Sequence, residues 1–366
     1  MRLEYGRRPM THRNRPPRVN RTIIMAVVSL VVGGLALYLI ASTAVYFRLT
    51  KTQQGYLDNS VNTPSQIRNI SPNYPTFSAT YFEVPEYAEV SFNSLSGGIR
   101  LSGWYLPNPN SRSIIIIVPG LNSSKASAKC LIPAGMLWHH GHNVLIIDVR
   151  DQGTSDIEDR RTALGTTEYL DVLGAVQWAV NSGFQKEHIG LMGGSLGGAT
   201  ALIAFAQDPA LKAAFIDSSY ADVHVAILEE LKRNQYPQFL ASGGIRMAQF
   251  ISGDRLLSKS PIAAIKKVNQ RSIMIVHSTK DSRLNIHHAH DLIRAARSVE
   301  NRHITAWIHH YPGHCDTMLA APSEYEQRLV SFFAPIRAPR FVTAVGTANT
   351  PVTENITSAN SEIPLI

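Results

Sequence analysis

Ser195 stands in the run Gly193-Gly194-Ser195-Leu196-Gly197, a Gly-x-Ser-x-Gly pattern between an apolar stretch and a small-residue helical stretch. A serine on a sharp strand-to-helix turn has its hydroxyl exposed, and flanking glycines remove the side chains that would collide there. The free N–H groups at the start of the helix then face any developing oxyanion. Two blander readings compete. A dinucleotide loop would need glycine in the middle of Gly-x-Gly-x-x-Gly, and aligned on Gly193 that position is Ser195. Close packing of a glycine-rich helix start explains the glycines but leaves the strand–serine–helix context unused.

A serine hydroxyl is a weak nucleophile and needs a base. Of the fourteen histidines, His314 follows the break Pro312-Gly313 after the last strand-like segment, in a loop able to reach the sheet edge. His309 and His310 lie within or at the end of that segment. The base in turn needs a carboxylate to hold its tautomer and stabilise its charged form. Asp281, in the loop after Ser272–His277, completes the chain order Ser, Asp, His. Asp217, ending the preceding strand, is the second choice of acid. The oxyanion donors expected are the N–H groups of Leu196 and of Leu121, the latter in Pro119-Gly120-Leu121-Asn122. The chemistry implied is acyl transfer to water through an acyl-enzyme, on an ester, a thioester or an amide.

The elements that must position these residues alternate. Strand-like runs at Ala88–Asn93, Gly98–Leu106, Ser113–Val118, Asn143–Val149, His188–Met192, Ala213–Asp217, Ser272–His277 and His303–His309 are separated from the third onward by helical stretches. That pattern predicts an α/β fold: a mostly parallel sheet, helices on both faces, and a site at the carboxyl ends of the strands. The interruption from 221 to 270 predicts a small helical cap inserted over that edge.

These residues carry a resemblance. The stretch from about Ala88 to Pro335 resembles the α/β-hydrolase fold family, in the membrane-tethered branch near prolyl-oligopeptidase-like and serine-aminopeptidase-like hydrolases. Asp148-Val149-Arg150-Asp151-Gln152-Gly153-Thr154-Ser155 is similar to that family's Asp-x-Arg-x-x-Gly-x-Ser loop, and Gly165, Glu168 and Asp171 follow it. The chain departs from the family at Pro119, where histidine is usual, and at His277-Ser278, where His-Gly is usual. The resemblance implies a serine hydrolase. An ester or lipid-like acyl substrate is preferred because the apolar N-terminal run is expected to hold the domain at a membrane; a peptidase is the alternative, and a non-catalytic exported binding module the reading from another class.

The remaining sequence organises around these elements. The formal charge is +8, and most of the excess lies in seven arginines between Arg2 and Arg21. A nucleic-acid binder would spread its basic patch over the folded domain, so no nucleic-acid partner is expected. No charged residue occurs between Arg21 and Arg48. A span of roughly 20 apolar residues crosses a bilayer core, so residues 22–47 are expected to be a single-pass transmembrane helix. Residues 1–21 would be cytoplasmic and the catalytic domain, 86–336, on the other side. A signal peptide cleaved near Ser42-Thr43-Ala44 and a buried soluble helix are the competing readings. Residues 48–85 read as a spacer and 337–366 as a disordered tail. Cys130 and Cys315 are expected to be free thiols. His287, His288 and His290 are expected to be structural, with no metal and no cofactor. The partners expected are a small-molecule, lipid or peptide acyl substrate and a membrane.

Overall fold

The structure, a computed structural model, describes residues 20–52, 62–68 and 70–338. The strands are β1 (Ala88–Asn93), β2 (Arg100–Leu106), β3 (Ile114–Val118), β4 (Asn143–Ile147), β5 (Ile189–Gly194), β6 (Ala213–Asp217), β7 (Ser272–Ser278) and β8 (Ile304–His309). They form one eight-stranded sheet in the order β1-β2-β4-β3-β5-β6-β7-β8. β1 and β2 pair as the antiparallel hairpin that their alternation implies, Ala88 opposite Tyr105 and Asn93 opposite Arg100, and β2 runs antiparallel to β4. The rest of the sheet is parallel.

The helices are α1 (Arg21–Thr50), α2 (Ala128–His139), α3 (Tyr169–Asn181), α4 (Leu196–Gln207), α5 (Val223–Arg233), α6 (Leu240–Ile251), α7 (Pro261–Ile265), α8 (His287–Arg297), α9 (Thr317–Ala320) and α10 (Pro322–Phe333). Successive strand residues point to opposite faces, and the central strands divide accordingly. Ile114, Ile116, Leu145 and Ile147 pack with α3, α4, α7 and α8. Ile115, Ile117, Val144 and Ile146 pack with α2, α9 and α10. Both faces are covered, which is why β3 and β4 read as unbroken apolar runs.

Three segments differ from the sequence reading. The cap consists of α5 and α6, whereas α7 returns to the main layer, where Ala264 and Ile265 join the core of the sheet. The apolar helix runs past residue 47 to Thr50, and its last turns are docked: Ser42, Val45, Tyr46 and Thr50 are buried. They lie against α6 so closely that a Cβ at Gly243 would fall 2.0 Å from Ser42 Oγ. Lys51 bridges to Arg161, and Thr52 donates to the Arg160 carbonyl at 3.0 Å. The reading of 48–85 as a spacer is therefore corrected for its described part. Ile67, Phe82 and Val84 are buried in the core on the α2 face, because the apolar side chains scattered among its prolines and asparagines find a cleft beside α2. The basic residues before Asn20 and the tail beyond Ala338 lie outside the described residues.

Candidate active site

The parallel arrangement brings the carboxyl ends of β3, β5, β6 and β7 to one edge, and the candidate residues leave the sheet there. Ser195 sits between β5 and α4 with φ 56° and ψ −124°, a left-handed conformation costly for a residue with a side chain. The turn is closed by its neighbours: a Cβ at Gly197 would lie 2.2 Å from the Val118 carbonyl oxygen, and one at Gly193 2.4 Å from Gly197. The strain is held by Ser195 N–H donating to the Asp217 carbonyl at 2.9 Å. Ser195 and His314 both line a cavity of about 670 Å³ at this edge, together with Gly120 and Leu121.

Asp281 and His314 meet. His314 Nδ1 lies 2.7 Å from Asp281 Oδ2. The other carboxylate oxygen accepts from the Arg283 and Leu284 amides at 2.8 and 3.0 Å. The Asp281 side chain is fully buried. Burial opposes its charge, but the His314 contact and these two amides outweigh it and hold the carboxyl below its ordinary range. With Nδ1–H given to Asp281, Nε2 carries the lone pair, and that atom is buried with no hydrogen-bond partner among the described residues. Burial disfavours protonation of the ring. The Cys315 sulfur and Asp281 reverse this, so the net direction of the His314 pKa is upward.

The alternatives are occupied elsewhere. Asp217 accepts from Tyr325 Oη and Ser218 Oγ, each at 2.9 Å, and burial raises its pKa. His309 is bonded to the Tyr311 amide and to Thr317, and His310 to Thr279. Cys130 and Cys315 are both free and buried.

For the oxyanion, Leu196 is the first residue of α4, where the N–H has no intrahelical acceptor. Gly120 approaches until its Cβ position is 3.5 Å from Ser195 Cβ, which places the Leu121 loop beside Ser195. The support of this loop escaped the sequence reading, which left the absent histidine at 119 without a substitute. Lys125 provides one: its Nζ lies 2.6 Å from Asp148, its amide donates to the same carboxylate at 2.7 Å, and Ser123 N–H donates to Gln152. The Asp148–Ser155 loop is fixed in turn by Arg150, buried against Asp171 at 2.6 Å. A lysine six residues after Pro119 carried no periodic signal, so nothing in the sequence marked it.

Glu229, His287 and His288 lie close enough to suggest a metal site. His288 Nδ1 accepts from the Ala221 amide, so its Nε2 carries the proton and donates to Glu229 Oε2 at 3.0 Å. His287 Nε2 lies 2.5 Å from Glu229 Oε1. The His288 lone pair is spent on backbone, and the trio fits a clasp between α5 of the cap and α8 of the main layer better than a ligand set.

The profile of the prolyl oligopeptidase family matches residues 135–335, more than half of the chain. No curated protein sequence matches it. Among solved structures, an esterase of Pyrococcus furiosus superposes with a TM-score of 0.55 at 20% identity, covering 75% of this chain and 96% of its own. The α/β hydrolase GrgF of a Penicillium species gives 0.54 at 20% identity, covering 68% and 98%. The acylaminoacyl peptidase of Pyrococcus horikoshii gives 0.51 at 18% identity, covering 68% of this chain and 40% of the peptidase. At these identities the likeness establishes the α/β-hydrolase fold.

Proposed function

This chain belongs to the prolyl oligopeptidase family of serine hydrolases, and from that premise we propose that it cleaves acyl esters with Ser195 as nucleophile, His314 as base and Asp281 as its acid. The observation that carries the proposal is the state of His314. Its Nδ1 is engaged by a buried carboxylate, while its Nε2 is unpaired in a residue that lines the same cavity as Ser195. Nε2 takes the Ser195 proton as Oγ attacks the substrate carbonyl. The oxyanion is held by the Leu121 and Leu196 amides. His314 returns the proton to the leaving oxygen, an acyl-enzyme remains, and water activated by the same nitrogen releases the acid. Catalytic hydrogen bonds are often loose without ligand, so the resting Ser195 hydroxyl need not be engaged.

The peptidase reading is favoured by the family itself, and a panel of acyl esters and aminoacyl amides divides the two. A fluorophosphonate probe should label the wild-type chain and fail to label Ser195→Ala. Labelling that survives this substitution overturns the nucleophile assignment, and absence of labelling in the wild type favours a binding module.

The anchor belongs to the same proposal. α1 is long and apolar enough to cross a membrane, and its large aliphatic side chains from Ile23 to Ile40 are exposed to the surroundings. The arginines before it support a cytoplasmic N-terminus with the catalytic domain opposite. Protease added to intact cells should then digest the domain, whereas protection with protease access demonstrated reverses the orientation.

A further inference from the structure

Two spaces of different size meet at Ser195, and among their lining residues they share Leu121, Asn122, Ser195 and Arg283. The larger is the cavity of about 670 Å³ already described, bordered by polar groups that include Ser123, Ser127 and Lys129. Lys129 is fixed there by Asp316 at 2.7 Å and donates to the His314 carbonyl at 2.7 Å. The smaller, about 150 Å³, is bordered by Ser195, the cap helix α5 and the end of α1. Its walls combine apolar side chains, Leu196 beside the nucleophile, Ile227 and Leu231 from α5 and Val45 and Leu49 from α1, with charged groups that include Arg48 and Glu230.

The last contribution is unexpected. The final turns of the apolar helix share one hydrophobic cluster with Leu196, the residue after the nucleophile, and with the cap. Where the exposed part of α1 ends, Tyr38 stacks on Phe239, with ring centroids 6.3 Å apart. Phe239, at the start of α6, is itself 69% exposed. Aromatic side chains of this kind favour a membrane–water interface. One stripe of α1, Tyr38, Ala41, Val45 and Leu49, thus leads from its exposed face to the pocket beside Ser195, with Ser42 and Arg48 flanking it.

Resting on the serine-hydrolase reading above, we propose that the substrate is an amphiphilic ester whose acyl chain occupies the pocket walled by α1 and α5. Its polar leaving group lies in the larger cavity on the Lys129 side. α1 is then a specificity element as well as an anchor. An acyl chain leaving a bilayer along this helix enters the pocket without crossing water, so the desolvation already gained in the membrane is kept. The scissile carbonyl sits at the junction, between Ser195 Oγ and the Leu121 and Leu196 amides, and the reaction balances as ordinary hydrolysis: the ester C–O bond breaks, water supplies the hydroxyl of the acid, and its proton goes to the leaving alcohol.

The test uses the full chain in detergent. Hydrolysis of p-nitrophenyl esters from acetyl to dodecanoyl, each below its micelle concentration, is compared with that of aminoacyl p-nitroanilides. The expected kcat/KM rises at least about tenfold from acetyl to octanoyl, the scale on which apolar pockets discriminate by methylenes. Leu49→Trp fills the pocket from the α1 side and should reduce the octanoyl-to-acetyl ratio by about tenfold. Leu49→Ala enlarges the pocket and should move the optimum to longer chains. Leu30→Ala, on the exposed part of α1, should leave the ratio at its wild-type value. Should Leu49→Trp fail to fold, the sign of the Leu49→Ala shift decides. A flat chain-length profile, a ratio indifferent to both Leu49 substitutions, or preferential cleavage of the anilides overturns the acyl-pocket proposal. Each of those results is read with turnover still dependent on Ser195, whereas turnover that survives Ser195→Ala sinks the catalytic reading itself.

Discussion

His314 rests on Asp281, and between α5 and α8 His287 and His288 rest on Glu229; the contacts are alike in length and opposite in consequence. In the first pair the carboxylate is fully buried and fixed by two backbone amides, and one imidazole nitrogen is left unpaired in a residue facing the Ser195 cavity. In the second the carboxylate is partly exposed and bridges two rings, and the buried ring's other nitrogen is spent on the Ala221 amide. A carboxylate–imidazole contact therefore does not define a catalytic pair. On the proposed mechanism what matters is a spare lone pair in the cavity that Ser195 also lines, which the first arrangement keeps and the second consumes in joining α5 to α8.

The comparison is most sharply tested at its catalytic end. Ser195→Ala and His314→Ala should each lower kcat by about 10⁴- to 10⁶-fold, and the double variant should be little worse than either, since residues acting as one unit lose their joint effect together. Multiplying effects would show that the two act independently and would move the base elsewhere. Asp281→Asn should cost somewhat less, about 10⁴-fold in kcat, by spoiling the tautomer while preserving the geometry.

The acid limb of kcat/KM comes next. His314 must be neutral to act as a base and its pKa is raised, so activity should climb with pH along a limb centred above the ordinary histidine value of 6.5. Asp281→Asn removes an acceptor that favours the protonated ring and should move that limb downward in pH. A limb at or below 6.5 in the wild type would contradict the assigned environment.

The smallest effect belongs to the clasp. Glu229→Gln should leave fluorophosphonate labelling of Ser195 intact and lower stability by at most about 1 kcal/mol, because the pair is partly open to solvent. His287 has a raised pKa, so its contribution is present below its ordinary 6.5 and is lost as pH rises through the folded value. Glu229 has a lowered pKa, so its contribution is present above its ordinary 4.5 and is lost as pH falls through the folded value. Buried His288 has a lowered pKa and resists charging, which opposes the clasp on the acid side. The difference in melting temperature between wild type and Glu229→Gln should therefore be largest between these two ordinary values. Loss of activity as large as that of Asp281→Asn would erase the distinction between the two pairs.

Much of the molecule was legible before folding, and for definable reasons. Strand periodicity, buried apolar runs and the glycine pattern around Ser195 are local properties, written at spacings of a few residues, and they located the eight strands, the elbow and the two loops carrying Asp281 and His314. Their chain order followed from the sheet topology. The charge-free stretch after Arg21 likewise marked a long apolar helix, since length and hydropathy are properties of the segment alone. What only the tertiary structure decided is which of several chemically equivalent partners meet. Asp217 and Asp281 are both strand-end carboxylates, and the packing of Tyr325 and Ser218 against the first spends its oxygens. Lys125 and Gln152 hold the oxyanion loop from a distance that no local pattern encodes. Val45 looks in the sequence like the end of an anchor and Leu49 like the start of a spacer, yet both wall a pocket beside Ser195, because the glycines of α6 let two helices far apart in the chain come close enough to share a core.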